Sequence, residues 1–350
     1  MFPDADPGPN GKYVMFAIYP RVRLAVALRT LAGAKLLDLW WPYCIGQSSV
    51  YSVFHDILRR SCTYLDNVKF PSSEDECKAA ADGFQNLRDS PLWGIVAALD
   101  GISVAIKCPT LDDTPSPNFF YNRKGFYSVC VQAACDASYK FSFFSASNAG
   151  STHDSTAFQT SVLHTHLQKA ADDGGLPDFA TVAADDAYGN GTCGGRILTP
   201  CSGRNLSSAM DTFNFFLSSN RITIEQAFGV LVSRFGILWS PLGFSLATNI
   251  LIIESCIRFH NFIIDRRKER SGSETGAVSL FGDIEAVHDE NYVDGSPDIF
   301  LQNYYHREKN VNRIRLNVDS ERRNKIARDL ILCGYCRPGT LCRERYRRNE

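Results

Sequence analysis

The stretch from Leu92 to Gly101 constrains this chain most. Leu92-Trp93-Gly94-Ile95-Val96-Ala97-Ala98-Leu99 is apolar throughout, stops on Asp100-Gly101, and resumes with Ile102-Ser103-Val104-Ala105. Such a run reads as a buried strand. A carboxylate set into it needs a partner, because acids are almost never buried alone. Asp-Gly also serves as an ordinary turn, but here the apolar pattern continues beyond it. Two later acids have comparable settings. Asp185 closes Thr181-Val182-Ala183-Ala184, and Glu225 lies in an amphipathic helical pattern over 221–239. Strand alternation sends only one of Asp185 and Asp186 to a given side. Asp100, Asp185 and Glu225 together form a candidate set of hard oxygen ligands for Mg²⁺ or Mn²⁺, two ions being the number expected for phosphodiester chemistry. Carboxylates ~4 Å apart repel by roughly 4 kcal/mol at an effective dielectric of about 20. Convergence of the three therefore calls for a cation or a shifted pKa.

Other acids have plainer readings. Asp154 falls in the first turn of a helix beginning at Ser151-Thr152-His153, where the macrodipole favours an anion, so it reads as a cap. Glu254 precedes Arg258 by four residues, and Glu225 itself follows Arg221 by four, which is ion-pair spacing on a helix. His153, His260 and the Trp239-Ser240-Pro241 corner carry no signal separable from packing.

Three helices are expected at the N-terminal side: Leu24 to Leu31, Lys35 to Trp41, and Ser49 to Arg60, with Ser48 or Ser49 as N-cap of the third. The turn Cys44-Ile45-Gly46-Gln47 between the last two gives the layout of a helix-turn-helix. Val50, Val53, Phe54 and Ile57 would face inward. Gln47, Ser49, Tyr51, Ser52, His55 and Arg59 would face outward, with chemistry suited to base edges and phosphates; a small helical bundle with a polar face has the same pattern. A further helix is expected over Ser73 to Leu87. Beyond the first strand, Phe126 to Cys135 and Tyr139 to Ala146 alternate as a hairpin. A helix reaching about Ala170, the short strand 181–185, a Gly- and Ser-rich loop over 189–220, the helix 221–239 and a last apolar helix over 247–265 follow. This order predicts an α/β core over 90–265 preceded by an all-α domain over 12–85. The turn Asn122-Arg123-Lys124-Gly125 can meet a phosphate backbone through Arg123 and Lys124.

The net charge of −1 averages unequal segments. Residues 12–60 hold seven basic against two acidic side chains. Residues 271–300 hold no basic and seven acidic, and residues 301–350 thirteen basic against six. Basic ends suit a polyanion ligand. The acidic stretch 266–300 reads as a disordered linker, and 301–350 as a basic tail with one helix, Asp319 to Leu332. Twelve cysteines scattered through apolar segments look like reduced, buried thiols and point to an intracellular compartment. Cys333, Cys336 and Cys342 lack a well-spaced fourth ligand for zinc. No apolar run reaches the roughly 18 residues needed to span a membrane, and Met1-Phe2-Pro3-Asp4 does not start a signal peptide.

Several motifs occur in one order: Leu99-Asp100-Gly101, Tyr121-Asn122-Arg123-Lys124-Gly125-Phe126-Tyr127-Ser128, Val131-Gln132-Ala133, Cys135-Asp136, Gly150-Ser151-Thr152-His153-Asp154-Ser155, Ile224-Glu225-Gln226-Ala227-Phe228-Gly229 and His260-Asn261-Phe262. From about residue 20 to 265 the chain resembles PIF/Harbinger transposases and their domesticated nuclease relatives. The resemblance implies an RNase H-like core with an acidic triad of Asp100, Asp185 and Glu225, cleaving and joining DNA at transposon ends. It also implies an N-terminal helix-turn-helix for terminal inverted repeats, a separate Myb-like partner protein, homo-oligomers and nuclear location. Two departures stand out. Asp186-Ala187 replaces the family's Ser-Gly after the second acid, and Val232-Ser233-Arg234 lacks a lysine often found there. A DNA-binding descendant that no longer cuts is the alternative.

Overall fold

A computed structural model of the chain describes residues 18–189, 192–203, 206–271 and 321–337. Its centre is a five-stranded sheet of order β3-β2-β1-β4-β5, built from β1 (Ile95–Ala105), β2 (Ser128–Cys135), β3 (Phe141–Ala149), β4 (Thr181–Ala183) and β5 (Ile197–Leu198). β1, β2 and β3 form an antiparallel meander, whereas β4 joins β1 and β5 in parallel. β1 runs through Asp100-Gly101 without a break, so the motif is no turn. The predicted hairpin is present, closed by Tyr139 in a left-handed conformation at φ 63°.

The helices are α1 (Pro20–Leu31), α2 (Gln47–Tyr64), α3 (Glu74–Arg88), α4 (Asp154–Gln159), α5 (Val162–Asp173), the short left-handed turn α6 (Thr192–Gly195), α7 (Ser208–Arg234), α8 (Leu246–Ser271) and α9 (Glu321–Leu332). Three of them start or end on ordinary signals. Ser73 and Glu76 make a reciprocal capping box on α3, Ser207 caps α7 by accepting from Met210 N–H, and Gly174 ends α5 at φ 76°.

Apolar residues cover the sheet on both faces. On one, Ala98, Ile102 and Val104 of β1 and Ala183 of β4 pack with Phe228 of α7 and Ile253 of α8. On the other, Leu99, Val182 and Ala184 pack with Phe158 of α4 and Leu167 of α5. An irregularity of register between Ile95 and Ala97 sets this alternation. Val26 and Leu31 of α1 and Val50, Phe54 and Leu58 of α2 belong to the same apolar cluster as α7 and α8. The Ser61 hydroxyl donates to Ser255 at 2.8 Å, tying α2 to α8.

Several elements depart from expectation. Lys35 to Trp41 is no helix but a 3₁₀ turn over Leu36–Asp38, so residues 32–46 join α1 to α2 in place of a tight turn. α2 starts at Gln47 with Gly46 as N-cap, and neither Ser48 nor Ser49 caps it. The helix after His153 breaks at Thr160-Ser161, where Ser161 accepts from His164 N–H and starts α5. α7 starts at Ser208, inside the stretch expected as loop, because Phe213, Leu217, Asn220 and Ile224 prolong its buried stripe at helical spacing. It ends at Arg234, and Ile222 is exposed where Ile224 is buried. α8 continues to Ser271, six residues into the expected linker; the rest of that linker, most of the basic tail and Cys342 lie outside the described residues. Among the described residues no helix is long and apolar enough to cross a membrane.

Candidate functional site

The parallel pairing of β1 with β4 sets the first two acids. Ala98 pairs with Ala183, and Asp100 and Asp185 each stand two residues further along their own strand direction. Ala98 and Ala183 both pack on the α7 face, and alternation returns to that face two residues on. Asp185 is half-buried and Asp186 exposed, so the first of the adjacent acids faces inward. Its Oδ1 accepts from Asp186 N–H at 2.8 Å.

Glu225 comes from the helix that packs across this face. Its neighbours Ile224, Ala227 and Phe228 are buried. Gln226, the next residue, accepts from Arg88 of α3 and from the Tyr139 hydroxyl at 3.3 Å, which fixes the rotation of α7 about its axis. Arg221 Nη1 donates to Glu225 Oε1 at 2.7 Å, and the two side chains are only 17% and 18% exposed.

Electrostatics join the groups. The Asp100 carboxyl is held up to about 7, first by burial, with Asp185 and Asp154 adding negative charge. Gly101 N–H, which donates to Asp100 Oδ1 at 2.7 Å, and the Arg221 guanidinium oppose the shift. One arginine therefore compensates two of the three acids. Among the described residues no three His, Cys, Asp or Glu side chains stand close enough together to enclose an ion.

Asp154 stands in the first turn of α4, as its sequence setting predicts, but its carboxylate also reaches the site. His153 is the N-cap of α4, with no side-chain cap bond, and Asp154 Oδ1 instead accepts from Gln132 Nε2 at 3.1 Å. It sits behind Gly101, where a Cβ would meet Asp154 Oδ1 at 2.5 Å and Gln132 Nε2 at 2.6 Å. The Arg221–Glu225 pair is legible from its spacing; what sequence reasoning missed is that Arg221 also faces Asp100 and that Asp154 and Gln132 meet behind it. Arg221 had only the signal of its spacing from Glu225, and Gln132 that of an amide amid Cys130, Val131, Ala133 and Ala134, inside the motif Val131-Gln132-Ala133.

Lys124 lies on the exposed turn expected to meet phosphate, yet it belongs to the site's edge. Burial of its ammonium and the adjacent Arg123 lower its pKa, while Asp154 and Asp100 pull the other way. The turn is fixed by Asn122, whose Oδ1 accepts from Lys124 N–H at 2.9 Å and whose Nδ2 donates to Ser128 Oγ at 2.8 Å. Along α2, Gln47, Tyr51, Ser52 and Arg59 are exposed and Ser49 and His55 half-buried. The His55 ring lies edge-on to Phe244, 6.4 Å between centroids; burial and Arg59 lower its pKa. Glu254 pairs with Arg258 at 2.8 Å, as its spacing predicts. Cys333 is exposed and Cys336 half-buried.

A mixed sheet with one acid in the middle of β1, a second just past the end of the adjacent parallel β4, and a third on the helix crossing them, fits an RNase H-like core. Residues 99–261 match the family described as DDE superfamily endonuclease, in line with the resemblance carried by the motifs. It is similar to the proteins named "Putative nuclease HARBI1". The Homo sapiens protein is 25% identical over 228 residues, 64% of this chain and 60% of that protein. The Bos taurus protein is 25% identical over 284 residues, 79% and 75%, and the Rattus norvegicus protein 27% over 277 residues, 77% and 73%. The chain thus covers less than two thirds of the human relative's length. No solved structure matches it.

Proposed function

We propose that the chain is a divalent-metal-dependent DNA endonuclease of the transposase type, cutting and joining phosphodiester bonds at transposon ends. One observation carries this reading: Asp100 and Asp185 stand at matched positions past the Ala98–Ala183 pair, on the face crossed by the helix of Glu225. The donor set fits Mg²⁺ or Mn²⁺. It is carboxylate oxygen throughout, and burial, with negative charge from Asp185 and Asp154 added to it, keeps a proton on Asp100 up to about pH 7. Held by Asp100, Asp185 and Glu225, two such ions would activate water or a DNA 3′-hydroxyl and offset charge on the phosphate under attack.

The chain's own groups supply the rest. Arg123 and Lys124, at the edge of the acids, hold the phosphate backbone in register. Gln47, Ser49, Tyr51, Ser52, His55 and Arg59 on α2 meet double-stranded DNA, with terminal inverted repeats as the target. A Myb-like partner, homo-oligomers and nuclear location complete the proposal.

The test is nicking of a terminal-repeat duplex in Mn²⁺. Asp185→Asn abolishes strand cleavage and leaves DNA binding nearly intact; cleavage by that variant at the normal rate overturns the assignment. A second reading, a DNA-binding descendant that no longer cuts, is favoured by the Arg221–Glu225 ion pair, which engages one proposed ligand. Under it, Mn²⁺ raises the melting temperature but no nicking follows.

A further inference from the structure

Beneath the acids, on the opposite face of the sheet, a buried amide joins the turn that carries Asp185 to helix α4 behind Asp100. Gln132 is fully buried in β2, directly across the ladder from Gly101. Its Nε2 donates to Asp154 Oδ1 at 3.1 Å, and its Oε1 accepts from the Tyr188 hydroxyl. Tyr188, also buried, lies three residues after Asp185. Its N–H closes the turn by donating to Asp185 O at 3.1 Å, and its ring rests edge-on against Phe158 of α4.

An amide buried in a strand of Val, Cys and Ala is costly unless both of its ends are bonded. Here each end is bonded, and to a different segment. A carboxylate accepts and a phenol donates, so the amide's orientation follows from its partners. The glycine after Asp100 has the same origin: a Cβ at Gly101 would sit 2.6 Å from Gln132 Nε2. The bridge therefore passes against the backbone of the first acid and ends in the turn of the second.

We propose that Gln132 is a positioning residue, which with Tyr188 holds the Asp185 turn at a fixed place relative to Asp100. This rests on the metal-dependent reading above. Gln132 acts through the turn and not on the reacting atoms, as groups behind metal ligands commonly do.

The experiment titrates Mn²⁺ alone into the full chain by calorimetry, alongside nicking across Mn²⁺ concentrations. The variants are Gln132→Met, Tyr188→Phe, both together, and Glu225→Gln as reference. Near-UV circular dichroism checks the fold, and Tyr188→Phe, which removes one oxygen, carries the test if Gln132→Met does not fold. Tyr188→Phe is expected to weaken Mn²⁺ binding roughly 10–100-fold, with most of the nicking rate restored at saturating Mn²⁺. The double variant is expected to be no weaker than the worse single one. Mn²⁺ binding by Tyr188→Phe within about twofold of wild type, while Glu225→Gln loses it, overturns the positioning role alone. Wild-type Mn²⁺ binding by Glu225→Gln overturns the metal-dependent reading beneath it.

Discussion

Arg221 Nη1 lies 2.7 Å from Glu225 Oε1, one helical turn away, and the same guanidinium lowers the proton affinity of Asp100. The cation serves a helix carboxylate and a strand carboxylate at once. Arg221→Ala leaves both less compensated. It should cost about 1–2 kcal/mol without metal, between the values for exposed and buried pairs. Mn²⁺ should then raise the melting temperature of the variant more than that of wild type. Equal metal-induced shifts, followed by differential scanning fluorimetry, would refute the shared compensation.

The raised Asp100 carboxyl predicts a pH-dependent metal affinity. Below about 7 the folded protein keeps this proton, and a metal must displace it. Apparent Mn²⁺ affinity should therefore fall as pH drops below 7, approaching tenfold per unit for one proton. Asp100→Asn should bind weakly at all pH values and lose that slope. Calorimetric titrations at pH 6, 7 and 8 check both.

His260 makes folding stability fall as pH falls. Its Nε2 donates to Tyr139 O at 2.8 Å and its Nδ1 faces Arg234 Nη1 at 3.2 Å, an arrangement for the neutral ring. Burial first, then Arg234, lowers its pKa to about 3. The stability due to a neutral His260 is complete above about 6.5 and lost as pH falls toward 3, a contribution of order 4 kcal/mol. Asp100 acts the other way, because an acid raised in the fold stabilises below about 4 and loses that advantage as pH rises to 7. The two offset in wild type, so the informative quantity is a difference. Urea unfolding from pH 7 to 4 should show wild type losing more stability than His260→Asn. Parallel pH curves would sink the assignment.

Gly101→Ala places a methyl 2.5 Å from Asp154 Oδ1 and 2.6 Å from Gln132 Nε2. Overpacking of this kind costs typically 1–3 kcal/mol. Chemical denaturation should register that loss. An unchanged midpoint would mean that the bridge does not pass behind the glycine.

Arg123→Gln with Lys124→Gln removes two positive charges at the site's edge. If both contact phosphate, the slope of log K against log salt for duplex binding should fall by roughly 0.9 per charge, about equally for all sequences. A slope that does not change places the turn away from DNA.

Local pattern in the amino-acid sequence determined a good deal of this. The alternation of Phe126 to Cys135 and Tyr139 to Ala146 predicts the hairpin, and the apolar flanks of Asp100 predict a strand running through it. The helical pattern from Ser73 to Leu87 predicts α3. Such signals lie within a few residues of one another, where backbone sterics and side-chain periodicity act directly. Where local chemistry misled, the tertiary environment prevailed. Gly- and Ser-rich composition hid the first half of α7, whose stripe of Phe213, Leu217 and Asn220 is stabilised by the sheet it covers. Asp154 read only as a first-turn anion because nothing near it in sequence reveals Gln132, 22 residues away across the sheet. Which of Asp185 and Asp186 turns inward depends on the Ala98–Ala183 register, a pairing between segments far apart in the chain. That Arg221 serves Asp100 as well as Glu225 depends on how α7 crosses β1. Packing and strand register set these relations, and neither exists until the chain has closed on itself.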